Sequence, residues 1–341
     1  MSKNIEIENH CGMRVVFSHV GASIRDIFIT TADGATRSVT VDPRDDRVFD
    51  RSQGYYGKTI GRNAGRIARG DFAIDGEPYH IVAPRKSNGL HGGDEGLSHQ
   101  VFSSQMQKTA DGQSVRFSYV SPHLEGGFPG NLRIAVTYLL SDDRNRLEIK
   151  YHATSDRDTM CNLTNHTYFN LEGRGPITNH HLRIRAQRYA EVDASLLPTS
   201  IEPVDQVMDF THGKPVINNL RDPRLQEVAG GYDHPFILDE RPVDIPAASL
   251  HSEGGDVQLN IYTTYPVLVF YSGNHPLDEM MNHGQKAYKY DALALEAQYL
   301  PNAINDPLGQ KKTGLLRSGE TYDETIIYEF IVDQRRRFDK T

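Results

Sequence analysis

Residues 132–138, LRIAVTY, alternate apolar and polar side chains, and this alternation indicates the fold of the chain. A period of two gives a strand one face for the core and one for solvent, as in antiparallel sheets. The pattern recurs in residues 115–120, 146–151, 182–185, 257–262 and 325–330. No window carries apolar residues at helical spacing over three turns with caps at both ends. The chain is therefore predicted to be all-β, a large antiparallel β-sandwich with few helices.

Turn signals separate the predicted strands. Asp75-Gly76 lies between two short alternating runs and predicts a type I′ hairpin, and Asp33-Gly34 and Asp111-Gly112 are similar. No low-complexity linker and no internal repeat divides the sequence. Residues 1–341 are therefore predicted to form a single domain. The basic run at residues 335–337 (RRR) is predicted to be a solvated tail.

Composition narrows the class of protein. The net charge of −8 argues against nucleic acid as a partner, because phosphate binding needs a basic surface. No segment has the roughly 20 apolar residues that cross a bilayer, and the first residues lack a secretory pattern. Two cysteines, Cys11 and Cys161, do not make a disulfide framework. We expect a cytoplasmic protein with no membrane partner.

One segment with strand-like composition is unusually polar. Residues 161–171, CNLTNHTYFNL, read as a strand but carry three asparagines and His166 among apolar neighbours. A buried hydrogen-bonding group without a partner costs roughly 1–3 kcal/mol, so these side chains indicate a polar ligand. Histidine is the usual residue for moving a proton near neutral pH. A structural histidine with satisfied hydrogen bonds is the alternative.

Four further segments combine a functional side chain with unusual neighbours. His91 lies in residues 88–93 (NGLHGG) and Asp233 in residues 230–236 (GGYDHPF), and each has an ordinary turn as its alternative. Glu296 follows an apolar strand-like run, where a solvent-facing carboxylate is equally compatible. Residues 61–70 (GRNAGRIARG) hold glycines and arginines without the spacing of a phosphate-binding loop.

Metal and serine-hydrolase chemistry find no support in the motifs. His180 and His181 are adjacent, and adjacent strand residues point to opposite faces. The sequence has no Cys-x-x-Cys cluster to build a zinc site, and no Gly-x-Ser-x-Gly elbow. No metal site is therefore predicted.

Five short segments carry a family resemblance. They are, in order, residues 64–67 (AGRI), 90–93 (LHGG), 165–171 (NHTYFNL), 232–236 (YDHPF) and 295–298 (LEAQ). Together they resemble the motifs of aldose 1-epimerases, the galactose mutarotases, over residues 57 to 307. The resemblance implies a galactose mutarotase-like β-supersandwich with an open cleft and no cofactor. It also implies interconversion of the α and β anomers of free hexoses such as galactose and glucose, so we expect a small sugar as partner of a monomer or homodimer.

The resemblance also implies roles for individual residues. His166 matches the general acid of the family and Glu296 its general base, while Arg66, His91 and Asp233 match positions that bind the sugar. The asparagines around His166 then become candidates for holding its imidazole in place. Ordinary pKa values of about 4.3 and 6.5 predict a charged glutamate and a charged histidine between those pH values. A nearby Asp233 would raise the pKa of His166.

Two departures from the family pattern affect substrate preference. Many members have asparagine before the arginine, where this chain has Gly65. Many also have a glutamine just before the segment that corresponds to residues 271–274 (YSGN), whereas residues 267–270 (VLVF) contain no amide. We expect hydroxyl contacts at Gly65 and near Val269 to be absent or replaced.

Three other functions remain open at this point. A glycoside hydrolase could use Asp233 and Glu296 as its two carboxylates, although His166 would then have no role. A non-catalytic sugar-binding protein would need the same binding groups without the reaction. A mutarotase of phosphorylated hexoses could use a cluster of Arg62, Arg66 and Arg69.

Overall fold

The computed structural model describes residues 4–81 and 88–333, so the basic run at residues 335–337 lies outside the described residues. The strands are β1 (Ile5–Glu8), β2 (Arg14–Ser18), β3 (Ser23–Thr30), β4 (Thr36–Ser38), β5 (Thr59–Ile60), β6 (Arg66–Ile67), β7 (Asp71–Ile74), β8 (Glu77–His80), β9 (Gly89–Leu90), β10 (Ser103–Thr109), β11 (Gly112–Ser121), β12 (Leu132–Ser141), β13 (Arg146–Ser155), β14 (Thr159–Met160), β15 (Thr164–Asn165), β16 (Tyr168–Phe169), β17 (His181–Ile184), β18 (Arg188–Val192), β19 (Pro198–Pro203), β20 (Lys214–Pro215), β21 (Asp233–Ile237), β22 (Ala248–His251), β23 (Val257–Thr263), β24 (Val267–Tyr271), β25 (Leu293–Gln298), β26 (Leu315–Leu316) and β27 (Thr321–Val332).

Helices are short and few. They are α1 (Asp46–Arg51), α2 (Ile217–Leu220) and α3 (Pro223–Val228). Asp45 caps α1 by accepting hydrogen bonds from the backbone N–H groups of Arg47 and Val48. Within residues 4–81 and 88–333, no helix is long and apolar enough to span a bilayer.

Two large antiparallel sheets form the body of the protein. The larger has nine strands in the order β10-β11-β12-β13-β27-β23-β22-β17-β20, and the second has six in the order β16-β25-β24-β21-β18-β19. A four-stranded sheet, β1 to β4, adds a further layer of strands. The alternating segments of the sequence lie in β11, β12, β13, β17, β23 and β27, so the predicted all-β architecture is confirmed.

The core forms because the alternation of the long strands places their apolar side chains on one face. In β12, Val136, Tyr138 and Leu140 are buried, and β13 pairs with it and buries Leu147 and Ile149. Burying such a side chain contributes about 1.5–3 kcal/mol. The Asp75-Gly76 turn joins β7 to β8 with φ of 50° and 86° at its two residues, so the predicted type I′ hairpin is confirmed.

Residues 161–171, here named the polar seam, do not form the single strand that their composition predicts. They form only β15 and β16, each two residues long. β15 pairs with β5, whereas β16 pairs with β25 of the six-stranded sheet. The segment changes partner every two or three residues, and a segment that does so cannot continue as one ladder.

Candidate active site

An open cleft lies on one face of the six-stranded sheet. Alternate residues of β25 face it, because Glu296 and Gln298 line the cleft. On the neighbouring strand Val269 lies opposite Glu296, and on the next strand Asp233 lies opposite Tyr271. The cleft has a volume of about 260 Å³. The register of three strands thus brings side chains from distant parts of the sequence to one surface.

His166 enters this cleft from the polar seam. Its backbone N–H donates to the carbonyl of Lys58 at 3.0 Å, and its carbonyl accepts from the N–H of Gly57 at 2.9 Å. These two bonds hold the residue between β15 and β16. The residue is 4% exposed, and its imidazole packs against the rings of Tyr168 and His91, at centroid distances of 4.9 and 5.3 Å.

His166 and Glu296 form a buried acid–base pair. The Nε2 atom of His166 lies 3.4 Å from Oε1 of Glu296, and Glu296 is also 4% exposed. Among the residues that the structure describes, no protein group hydrogen-bonds to His166 Nδ1 or to Glu296 Oε2. Buried polar atoms are normally paired, so free ones beside a cleft indicate a place for a polar ligand.

Burial moves the two pKa values in opposite directions. It lowers the pKa of His166 to about 4 and raises the pKa of Glu296 to about 8, because each charged form loses its water. Between those values the pair holds one proton, mainly on Glu296. The prediction of two ordinary pKa values with both groups charged is therefore wrong for the free site.

Arg66 and Asp233 lie beside this pair. Arg66 Nη1 is 3.7 Å from Asp233 Oδ2, and burial raises the pKa of Asp233 while Arg66 opposes the rise. The charge of Asp233 raises the pKa of Glu296, and no effect of it on His166 is resolved. The sequence-based expectation that Asp233 raises the pKa of His166 is not met, because burial is the larger influence there and lowers the pKa, opposed only by a backbone hydrogen bond.

His91 is fixed by the backbone of residue 65. Its N–H donates to the carbonyl of Gly65 at 3.1 Å, and its Nδ1 accepts from the N–H of Gly65 at 3.2 Å. Because Nδ1 accepts, the proton of the neutral ring lies on Nε2. Burial, with the nearby charges of His166 and Arg66, holds the pKa of His91 well below its ordinary value. Gly92 must be glycine here, since a Cβ would lie 2.0 Å from the carbonyl oxygen of Gly61 at φ +87°.

The cleft therefore contains all five residues that the sequence singled out: Arg66, His91, His166, Asp233 and Glu296. The three asparagines of the polar seam behave differently from the prediction, because none hydrogen-bonds to the imidazole. Asn165 binds the carbonyl of Gly57 and the hydroxyl of Thr167. These amides fix backbone around the histidine rather than the ring itself.

The proposed arginine cluster does not exist in the structure. Arg62 is buried, and its guanidinium donates to the hydroxyl of Ser121 and to three backbone carbonyls. Arg69 is exposed and pairs with Asp71 at 3.5 Å. Only Arg66 of the three lines the cleft. The arginines therefore give no support to a phosphorylated substrate.

The family model for aldose 1-epimerase matches residues 3–329 of this sequence. The chain belongs to the aldose 1-epimerase family. Aldose 1-epimerase from Escherichia coli K12 is 35% identical over 337 residues, covering 96% of this chain and 95% of its own. Human galactose mutarotase is 34% identical over 326 residues, covering 94% and 92%. Enzymes of this family are isomerases that need no cofactor, and this chain is such an isomerase.

Solved structures agree with this family and with its fold. An aldose epimerase homologue from C. elegans superposes with a TM-score of 0.88 at 29% identity, covering 97% of this chain and 99% of the other. Galactose 1-epimerase from Lactobacillus acidophilus gives a TM-score of 0.85 at 29% identity, covering 96% and 94%. The predicted galactose mutarotase-like architecture is confirmed.

The sequence did not single out several residues that line the cleft of this aldose 1-epimerase family member. Tyr55, Tyr168, Tyr271 and Tyr288 line the cleft and offer rings for contact with a sugar face. A tyrosine is equally common in an ordinary core, so composition gives no signal for these four. Gln298 also lines the cleft, and its position two residues after Glu296 could have identified it, because strand residues two apart share a face.

The cleft also brings together three side chains of the types that bind metal ions. The nearest ligand atoms of His91, His166 and Glu296 all lie within 4.8 Å of one another. Ligands of tetrahedral zinc at about 2.0–2.1 Å lie about 3.4 Å apart, which is the spacing of His166 Nε2 and Glu296 Oε1, while the set as a whole spans up to 4.8 Å. His180 and His181 face opposite ways as predicted, since His180 is buried and His181 is exposed.

Proposed function

We propose that this protein interconverts the α and β anomers of free hexoses such as galactose and glucose, with Glu296 as general base and His166 as general acid. The observation that carries the proposal is the 3.4 Å contact between His166 Nε2 and Glu296 Oε1 on the floor of an open cleft. Each group has a second polar atom without a protein partner in the described chain. A positioned acid and base are the two groups that opening a hemiacetal ring requires.

The reaction begins with a redistribution of the shared proton. The free pair carries one proton on Glu296, and transfer from Oε1 to Nε2 produces a carboxylate and an imidazolium without changing the total charge. The carboxylate then removes the proton from the anomeric hydroxyl, while the imidazolium protonates the ring oxygen. The bond between C1 and the ring oxygen breaks, and C1 becomes a carbonyl carbon.

Closing the ring reverses these transfers on the other face. The C1 carbonyl turns about the C1–C2 bond. The hydroxyl that formed from the ring oxygen then attacks C1, and His166 accepts the proton that this hydroxyl loses. Glu296 returns its proton to the new anomeric hydroxyl. A transfer of the proton from His166 Nε2 back to Glu296 Oε1 then restores the starting state of the pair, with one proton and no net change. Arg66, His91 and Asp233 hold the remainder of the sugar, so that only C1 moves.

Polarimetry tests the proposal directly. Fresh α-D-galactose or α-D-glucose is followed with the wild-type protein, with Glu296→Gln and with His166→Asn. Each acid or base contributes typically 10²–10⁴-fold, so both variants should lose at least about a hundredfold in kcat. His180→Asn is the matched control, since His180 is buried with a pKa lowered to about 4 but lies outside the cleft. A wild-type protein that never exceeds the spontaneous rate with either sugar contradicts the proposal.

Two further assays separate the alternatives. A non-catalytic sugar-binding protein would keep its sugar affinity in Glu296→Gln and would show no rate enhancement in the wild type. A glycoside hydrolase would release reducing sugar from a galactoside or glucoside, which an anomerase does not. The structure of the pair favours the epimerase, because it gives His166 a direct partner, whereas the hydrolase leaves this residue without a role.

A further inference from the structure

We infer that Gln298 is a substrate-binding residue whose amide hydrogen-bonds to one hydroxyl, or to a pair of neighbouring hydroxyls, of the hexose. The inference rests on the proposed function and adds a specificity-determining contact to it. The side chain lines the cleft and is 1% exposed. Neither Nε2 nor Oε1 of its amide has a hydrogen-bond partner among the protein groups of residues 4–81 and 88–333. A buried amide with both ends free is rare enough to require an explanation.

The position of Gln298 follows from the register of the sheet. It is two residues beyond Glu296 on β25, so both side chains leave the same face. Val267 lies opposite Gln298, and Val269 lies opposite Glu296. Gln298 is therefore next in the row of cleft-facing side chains after the proposed base. The inference therefore places the part of the sugar beyond the reacting carbon against this amide.

The amide also lies against Gly65. A Cβ built on Gly65 would be 3.1 Å from Gln298 Nε2 and 2.8 Å from Cγ of Pro301, at φ +76°. The space that an asparagine side chain at position 65 would need is thus already bounded by the Gln298 amide and Pro301. The hydroxyl contact that the sequence lacks at Gly65 has a neighbouring amide able to make it.

The lack of a polar side chain at position 269 also points to Gln298 as the residue that binds a hydroxyl. The side chain of Val269 faces the cleft beside Glu296, but it has no hydrogen-bonding atom. Of the cleft-lining side chains that the six-stranded sheet contributes within the described residues, Gln298 is the one with an amide. Positions 65 and 269 offer the cleft no side-chain hydrogen-bonding atom, and Gln298 lies next to the first and one row from the second.

The chemistry of an amide fits this role. Its nitrogen donates and its oxygen accepts, so it matches a sugar hydroxyl, which does both. An uncharged group does not titrate and leaves the proton count of the His166–Glu296 pair unchanged. The hydroxyls beyond C1 keep their structure as the ring opens, so their contacts stabilise the bound sugar and the transition state equally. Loss of such a contact raises KM and leaves kcat nearly unchanged.

The test has the form of a double-mutant cycle, in which one change is a substitution in the protein and the other is the loss of a hydroxyl from the sugar. Wild type and Gln298→Leu are assayed with galactose and with its 2-, 3-, 4- and 6-deoxy forms. Dissociation constants from calorimetry are measured beside kcat/KM. We expect Gln298→Leu to raise KM for galactose about tenfold or more with kcat within about threefold. We also expect wild type to discriminate against one or two deoxy sugars that the variant no longer distinguishes from galactose.

A structural role for Gln298 predicts a different result. If Gln298→Leu lowers kcat/KM by the same factor for every sugar, or leaves KM unchanged, the inference is overturned. Gln258→Leu is the matched control, since Gln258 is also a strand glutamine but lies outside the cleft and donates to Asn260 at 2.7 Å. This control should change neither KM nor the pattern of discrimination.

The two proposals fail in distinguishable ways. A wild-type protein that binds hexoses without accelerating anomerisation contradicts the proposed function, and the calorimetric cycle then still decides the role of Gln298. A wild-type protein that anomerises hexoses but shows no coupling between Gln298 and any hydroxyl contradicts only this inference. A protein that neither binds nor anomerises any of these sugars overturns both.

Discussion

Arg66 Nη1 and Asp233 Oδ2 lie 3.7 Å apart beside Glu296, and their charges act on its pKa in opposite directions. Asp233 raises the pKa of the Glu296 carboxyl and Arg66 lowers it, in addition to the larger rise that burial causes. The ion pair that is proposed to bind the sugar can therefore also adjust the pKa of the proposed general base. Removing either partner alone therefore changes the pKa of Glu296.

Asp233→Asn and Arg66→Met are expected to move the alkaline limit of kcat/KM in opposite directions. The first removes a negative charge near Glu296, so its pKa and the limit should fall. The second removes a positive charge, so both should rise. Each variant should also raise KM, by about tenfold or more, because each of the two side chains is proposed to bind the sugar. Asp209→Asn is the control, since this carboxylate accepts from Thr211 outside the cleft. Shifts in the same direction for both variants would contradict the account.

The pH profile of the wild-type enzyme follows from the shared proton. The proposed mechanism requires one proton on the pair, and the pair holds one between the pKa of His166, about 4, and that of Glu296, about 8. We expect kcat/KM to fall below the first value and above the second, with a plateau between them. Polarimetry in a series of buffers measures this. A plateau that ended near pH 6.5 would indicate instead an imidazole with its ordinary pKa.

Glu296→Gln should become progressively more stable than wild type as the pH rises from 4.5 to about 8. In this range the native carboxyl keeps its proton while the unfolded one, with an ordinary pKa of 4.5, has lost it. The native state then binds more protons, so wild-type stability falls with pH, at up to about 1.4 kcal/mol per unit. Glutamine does not titrate and avoids this loss. Urea unfolding at pH 5, 6, 7 and 8 measures the difference, and a constant difference would show that Glu296 titrates normally.

Asn162→Ala should destabilise the protein by about 2–3 kcal/mol through unpaired backbone groups. The buried amide of Asn162 accepts from the N–H of Tyr299 at 2.9 Å and donates to the carbonyls of Ala64 and Tyr299. It thus ties the end of β25 to the segment before Arg66. Asn179→Ala, which removes an exposed bond to Glu253, should cost under about 0.5 kcal/mol. Equal effects of the two substitutions on the urea midpoint would refute this role.

The sequence predicted those features that depend on local pattern. Alternation identified the long strands because a period of two directly sets which face of a strand is buried, and Asp75-Gly76 set its turn through backbone conformation. The short ladders of β15 and β16 were missed, since their partners lie up to 126 residues away along the chain, as in the pairing of Tyr168 with Ala294. The pKa values were missed because desolvation depends on the finished packing. Arg62 was misplaced for the same reason, as nothing local distinguishes a buried guanidinium from an exposed one.

The polar seam has a consequence for how the protein folds. Its backbone bonds reach Gly314 from Cys161, Lys58 from His166 and Val39 from Asn170, so its partners come from both ends of the chain. Contacts between residues far apart in sequence form slowly, because a long loop must close before they contribute any stability. The surroundings of His166 can therefore be completed only after most of the chain has already collapsed. Anomerisation should accordingly be among the last properties regained on refolding, and no fragment that lacks residues 39–67 or 293–314 should possess it.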